Sequence, residues 1–287
     1  MKTRYGNKVY PLTAAQRLHF FYQQYCPKKQ VLNIGTSVTI ETEVNFEELK
    51  KAIYQAYDRC ESMRLRFAKD KDGTCYQYVV KKEERDIEYV NFTGWKEEDA
   101  QNEMKKWTSV PFEKYDSPQN RIVMITTPDG YNGLYLLVDH MTMDAQSLIG
   151  FLKDIIELYC SSMYEGVNPP TATYSYLEQL KKDLAYEQGC KAQERDREFF
   201  HNLIETANPI YNDIDGVKRL MEVRREKKDD TLRAVKDVSE SVDSNIAAFH
   251  LEAEPSRRLR EFCHENQVSL ACLLMMGLRT YFQKLNG

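Results

Sequence analysis

An α/β layered domain is the fold class this sequence predicts, and three observations predict it. Short β-prone runs interleave with amphipathic helical stripes through the first 170 or so positions. The run Leu134 to Val138 is apolar throughout, as an inner strand covered on both faces should be. It leads without a break into the turn Asp139-His140-Met141-Thr142-Met143-Asp144-Ala145, after which apolar residues recur at helical spacing.

Each element has its own signal. Thr13 to Tyr22 opens a helix after Pro11, with Leu18, Phe21 and Tyr22 on its apolar face. Residues 36–42 alternate as a strand. Phe46, Leu49, Ile53, Ala56 and Cys60 form one stripe, which predicts a helix over 45–60 with Lys50, Lys51 and Gln55 outward. Strands follow at 63–68, 75–81 and 86–90, with Asp72-Gly73 as a hairpin turn. Residues 96–108 are helical, and 120–127 and 133–139 form a hairpin around Pro128-Asp129-Gly130. Ala145, Leu148, Ile149, Leu152, Ile155, Ile156 and Tyr159 mark the helix that starts after the turn.

The character changes after Asn168-Pro169-Pro170. Residues 173–206 predict one or two charged helices. Residues 215–240, with Arg224-Arg225-Glu226-Lys227-Lys228-Asp229-Asp230, carry both signs densely and predict a solvated linker or exposed hairpin. A short strand at 246–252 and two helices complete the chain. The last helix, Ser269 to Leu285, is apolar nearly all round, which predicts burial on most sides. The domain plan is therefore 1–172, then a connection over 173–245, then 246–287.

Composition limits the function. Hydrophobic content of 42% with 11% aromatics excludes a disordered chain. With 40 Lys and Arg against 44 Asp and Glu, the net charge is −4, so no basic field exists to attract nucleic acid. No stretch approaches the roughly 20 apolar residues that span a bilayer, and the first residues lack an apolar leader, so no membrane and a cytoplasmic setting are expected. Seven scattered cysteines without a C-x-x-C pair disfavour disulfide and zinc frameworks, and no metal is expected.

The chemistry concentrates at the turn. A rigid strand end can aim the His140 imidazole at a substrate, and histidine is the side chain whose ordinary titration lies near neutrality. Asp144 falls at the head of the next helix, where negative charge is favoured. This points to acyl transfer. The H-x-x-x-D spacing by itself is a weak signal, because a buried histidine satisfied by a nearby carboxylate gives the same pattern. The remaining histidines, His19, His201, His250 and His264, read as surface or interface residues.

Several separated blocks sharpen this reading. Thr13-Ala14-Ala15-Gln16-Arg17-Leu18 is similar to the pattern S-x-A-Q-x-R-L, with one residue fewer between Gln and Leu. Arg59-Cys60-Glu61-Ser62-Met63-Arg64-Leu65-Arg66-Phe67 is similar to R-H-E-x-L-R-T-x-F, and Asp139 to Ala145 is similar to H-H-x-x-x-D-G. Tyr174-Ser175-Tyr176-Leu177 followed by Phe199-Phe200 is a weaker fourth match. In these blocks, their order and their spacing, the chain resembles the condensation domains of non-ribosomal peptide synthetases, within the chloramphenicol acetyltransferase-like superfamily.

The resemblance implies a chloramphenicol acetyltransferase-like layered lobe, complete here, followed by an incomplete second lobe. It implies an acyltransferase that joins a carrier-bound thioester to an amine, with His140 at the reaction centre. Asp144 is implied to pair with an arginine, Arg64 first and Arg59 second. Asp139 stands where the pattern has its first histidine, and Ala145 where it has glycine. No covalently bound cofactor is implied; substrates ride on the phosphopantetheine of carrier proteins, or on CoA. The implied partners are carrier domains and the rest of the second lobe, with self-association through residues 270–282 as a further expectation. Two other readings keep the fold: a stand-alone CoA-dependent O- or N-acyltransferase, and a non-catalytic lobe that binds a carrier protein. A 287-residue chain lacking one wall of a two-lobed tunnel is expected to be inactive alone.

Overall fold

In a computed structural model, which describes residues 7–83, 85–206, 214, 216–232, 235 and 249–286, strands and helices interleave as the patterning predicts. In chain order these are β1 (Tyr10–Pro11), α1 (Ala14–Tyr25), β2 (Asn33–Ile40), α2 (Phe46–Arg59), β3 (Leu65–Lys69), β4 (Cys75–Val79), β5 (Glu88–Asn91) and α3 (Glu97–Thr108). Then come β6 (Asn120–Thr126), β7 (Asn132–Asp139), α4 (Ala145–Met163), α5 (Tyr176–Glu187), α6 (Lys191–Thr206), α7 (Val217–Lys227), α8 (Ala253–Glu265) and α9 (Leu270–Asn286). The chain divides into two compact units, 1–196 and 197–287.

The first unit is organised around β7. This strand lies between β2 and β6, antiparallel to both, and β5 joins parallel to β6, giving the order β2-β7-β6-β5. Its side chains alternate between two apolar layers, which is why its sequence shows no polar alternation. Leu134, Leu136 and Val138 pack with Leu49, Ile53 and Ala56 of α2 and Leu152 and Ile155 of α4. Tyr135 and Leu137 face the other way, onto Phe92, Ala100 and the partly buried Trp107. Burying a side chain of this size stabilises the fold by about 1.5–3 kcal/mol, so the central strand is held from both faces.

A smaller sheet, β1-β4-β3, has its own apolar cluster of Leu12, Leu32, Leu65, Phe67, Cys75 and Met141. The chain leaving β7 therefore enters a second core immediately after His140.

Gly133 shows how tightly β2 and β7 pair. It sits opposite Thr39, and a Cβ there would overlap the carbonyl oxygen of Val38. Gly133→Ala is expected to destabilise the chain by about 1–3 kcal/mol, as overpacking against backbone does, visible as a lowered urea midpoint with unchanged m-value.

Four expectations are corrected. Helix α1 is turned over: Leu18 and Phe21 are 69% and 61% exposed, whereas Gln16 and Gln23 are 6% and 7% exposed. Its polar face is inward because the two glutamines satisfy polar groups of the turn after β7, as described below, and buried polar groups must be paired. Residues 217–227, expected as linker, form α7 with Leu220, Val223 and Arg224 buried. Residues 249–252 of the expected strand at 246–252 are not strand, and the rest of that segment lies outside the described residues. Helix α9, expected to be buried on most sides, has no buried residue among those described.

Candidate active site

The turn from β7 to α4 is built by local hydrogen bonds and by side chains plugged into both cores. The backbone N–H of His140 donates to Leu32 O at 2.9 Å, so β2 and its lead-in hold the strand end. Asp139 O accepts from the N–H of Thr142 at 2.9 Å and from its hydroxyl at 2.8 Å, which closes the turn. Met141 enters the smaller core and Met143 the larger one. His140 is left half-buried between them, on a short segment anchored at each side.

Asp139 is buried at 2% exposure, and its partners explain how a carboxylate is tolerated there. One oxygen accepts the Met141 N–H at 2.8 Å and the other accepts Gln23 Nε2 at 3.3 Å. Burial pushes the Asp139 carboxyl above its usual range, opposed by the Met141 N–H, the Lys114 charge and the Gln23 amide. The Lys114 ammonium donates to Gln23 and lies 4.8 Å from the Phe20 ring centroid. Burial lowers its pKa, and Asp139 opposes that shift. Asp139 thus belongs to a buried polar cluster with Gln23 and Lys114.

Asp144 is exposed and is the N-cap of α4, accepting the Ser147 N–H at 2.7 Å. Among the described residues no arginine reaches it, which overturns the expected Asp144–Arg64 and Asp144–Arg59 pairs. Arg59 instead holds Asp154, with Nε and Nη2 donating at 2.9 and 3.0 Å. Arg64 is buried against backbone carbonyls. The acid of α4 that needs a cation is the one inside the apolar stripe: Asp154 is 7% exposed, whereas Asp144 faces water. Asp154 standing among Phe151, Leu152 and Ile155 was the sequence signal for this pair.

The Ser147 N–H holds the Asp144 carboxyl below its usual range. A depressed folded pKa makes the cap's contribution complete above the unfolded carboxylate value and lost as pH falls through the folded one. Asp144→Ala is expected to cost about 1 kcal/mol at neutral pH, and the difference from the parent should vanish in acid unfolding curves. Ala145 is the first residue of α4 and is exposed, so the position that the resemblance gives to glycine has ordinary helical backbone here.

Sequence reasoning missed three residues of α1. Gln16 Nε2 donates to Met141 O at 3.1 Å and Gln23 Nε2 to Asp139, while the His19 ring stacks on the His140 ring with centroids 4.8 Å apart and planes 22° from parallel. Of the histidines expected at the surface or at an interface, His19 is half-buried between α1 and the turn, while His201, His250 and His264 are exposed. The spacing of residues 16, 19 and 23 was a legible signal, because it puts all three on one face of a helix.

The other blocks meet around this turn. Gln16 also donates to Gln77 Oε1 at 3.0 Å and to the Tyr176 hydroxyl at 3.1 Å. Glu61 accepts the Ser175 hydroxyl at 2.8 Å and the Leu177 N–H at 2.9 Å. A surface cavity of about 810 Å³ lies elsewhere, lined by α3 residues such as Asp99, Glu103 and Lys106. Among the described residues no group of three or more His, Cys, Asp or Glu could hold a metal ion, and no helix is long and apolar enough to cross a membrane.

A layered α/β unit with a histidine at the end of its central strand defines the class, a chloramphenicol acetyltransferase-like fold. Solved structures share it. The starter condensation domain of the rhizomide synthetase RzmA superposes with a TM-score of 0.62 at 20% identity, over 70% of this chain and 49% of that one. The first condensation domain of the calcium-dependent antibiotic (CDA) synthetase gives 0.60 at 21% identity, over 71% and 50%. The sequence matches the Condensation domain family over residues 6–287, and the chain belongs to that family. Surfactin synthase subunit 1 of Bacillus subtilis is 23% identical over 97% of this chain, and a dimodular nonribosomal peptide synthase of the same organism 26% over 96%. The chain spans about half of the solved domains and only 7% and 11% of those two synthases.

Proposed function

We propose that this chain supplies the histidine-bearing side of an amide-forming acyltransferase acting in non-ribosomal peptide synthesis. The observation that carries the proposal is the placement of His140: half-buried, at the end of the central strand, on a turn pinned into both cores. Such a ring is held in place before substrate arrives, which is what general-base or proton-holding chemistry requires.

In the proposed reaction a free amine attacks the carbonyl carbon of an acyl thioester. A C–N bond forms, the C–S bond breaks, and the amine proton passes by way of His140 to the departing thiolate, which leaves as the thiol. Donor and acceptor are proposed to be carried on the phosphopantetheine arms of carrier domains. The family membership and the two synthases support this, and the seven unpaired cysteines suit a cytoplasmic setting.

Asp144 is proposed to act on the turn through the helix start. We further propose that the 287 residues alone turn over slowly, because acyl transfer needs both substrates held in near-attack geometry and the part of this chain that superposes covers only about half of each solved relative. Leu270, Leu274, Met275, Leu278 and Tyr281 of α9 are exposed. An apolar face of this kind is expected to be covered by further chain or to drive association.

The test is amide formation followed by mass spectrometry, using the protein from its whole native gene with carrier-bound aminoacyl acceptors. Donors are offered on a carrier domain and, separately, on free CoA. Amide from the carrier-bound donor is expected. Product from CoA alone would favour a stand-alone acyltransferase, and tight carrier binding without product would favour a non-catalytic lobe.

A further inference from the structure

We propose that His19 is a positioning residue for the chemistry assigned to His140: its ring backs the His140 imidazole, fixes the plane of that ring, and is electrostatically coupled to it. The inference rests on the acyl-transfer reading above for its catalytic part, and on geometry alone for the coupling of the two rings.

Helix α1 reads the turn residue by residue. Gln23 holds the Asp139 carboxylate, His19 stacks on His140, and Gln16 donates to Met141 O. Three side chains from one helical face thus meet three consecutive residues in antiparallel order. The two glutamines fix α1 against the turn on both sides of His19, so the stacked ring has a fixed backbone beneath it. Apolar residues of α1 that could have filled the same space, Leu18 and Phe21, point to solvent instead.

The stack also has an electrostatic consequence. A charged His140 ring with its centroid 4.8 Å from that of His19 disfavours a proton on His19. Burial, and then the charge of His140, hold the His19 imidazole below the ordinary histidine value, while Asp139 opposes both. A neutral His19 places no positive charge against the ring assigned to substrate.

The charged groups around the pair are few. Asp139 faces His19 from the end of β7, and behind it Lys114 faces Asp139 and Cys75. Lys29 is engaged with Gln23 O and Gln24 O at 2.9 Å. Asp144 faces His140 from the start of α4. On α1 itself, Arg17 is paired with Glu187 at 2.8 Å.

The experiment has two readouts. The chain has five histidines, so ring-labelled histidine can be titrated by NMR in the parent and in His19→Phe, His19→Leu and His140→Phe, each assigned by its missing signal. His140→Phe is expected to move the His19 midpoint upward, because the neighbouring positive charge is gone. An unmoved His19 midpoint overturns the coupling and the proposal with it.

In the amide assay, His19→Leu is expected to lower kcat roughly tenfold, the scale of a small misplacement of a reacting group, with KM little changed. His19→Phe keeps a flat ring in the same place and is expected to recover most of that loss, with an acid limb of the pH profile that follows one group. Should the leucine variant misfold by circular dichroism, His19→Gln carries the same comparison. An unchanged kcat in the leucine or glutamine variant overturns the positioning role. Full activity in His140→Phe would instead overturn the reading of His140, and the surviving NMR coupling would identify that as the failed step.

Discussion

Replacing His140 by alanine in the protein from its whole native gene is expected to lower kcat for amide formation by about 10²–10⁴, the usual contribution of a positioned acid–base group. The fold should survive. The turn is held by the His140 N–H on Leu32 O, by Asp139 with Thr142, and by the side chains of Met141 and Met143, none of which needs the imidazole. Loss of the stack on His19 removes about 0.5–1.5 kcal/mol, small beside the stability of a domain of this size. A parallel urea titration therefore separates chemistry from folding. A large kcat loss with a midpoint near that of the parent is the expected pair of results. Unchanged turnover would move the function toward carrier binding without chemistry.

The central strand and the helices beside it were legible because their signals are local. Leu134 to Val138 is apolar on both faces, Phe46 to Cys60 and Ala145 to Tyr159 repeat at helical spacing, and Pro128-Asp129-Gly130 marks its hairpin. The position of His140 followed from the same signals. What stayed hidden was pairing between distant segments. Amphipathic reasoning buries leucine and exposes glutamine, and on α1 this failed because Gln16 and Gln23 answer hydrogen-bonding groups more than 100 residues away along the chain. The same limit misassigned the arginines. Spacing cannot say whether an arginine meets a carboxylate or a set of carbonyls, since its five donors suit either.

Arg64 is where that difference has its largest consequence for stability. Its Nε donates to Tyr57 O at 2.8 Å, Nη2 to Asp58 O at 3.0 Å, and Nη1 to Val80 O and Lys81 O at 2.6 and 2.9 Å. Tyr57 and Asp58 are in the last turn of α2, whose carbonyls have no partner within the helix, and a cation there also complements the helix dipole. Val80 and Lys81 follow the end of β4, so one guanidinium ties the close of a helix to the close of a strand. At 8% exposure water can replace few of these bonds. Arg64→Leu keeps bulk but supplies no donor, and leaving several carbonyls unsatisfied is expected to cost about 3–5 kcal/mol. Arg64→Lys places a point charge with three donors on a different geometry and should recover only part of the loss. Urea unfolding of both variants, with the Asp144→Ala chain as reference, gives the ranking directly. The leucine variant should fall furthest and the lysine variant should lie between it and the parent. A leucine variant as stable as the parent would show that Arg64 is not what holds the end of α2 to the end of β4.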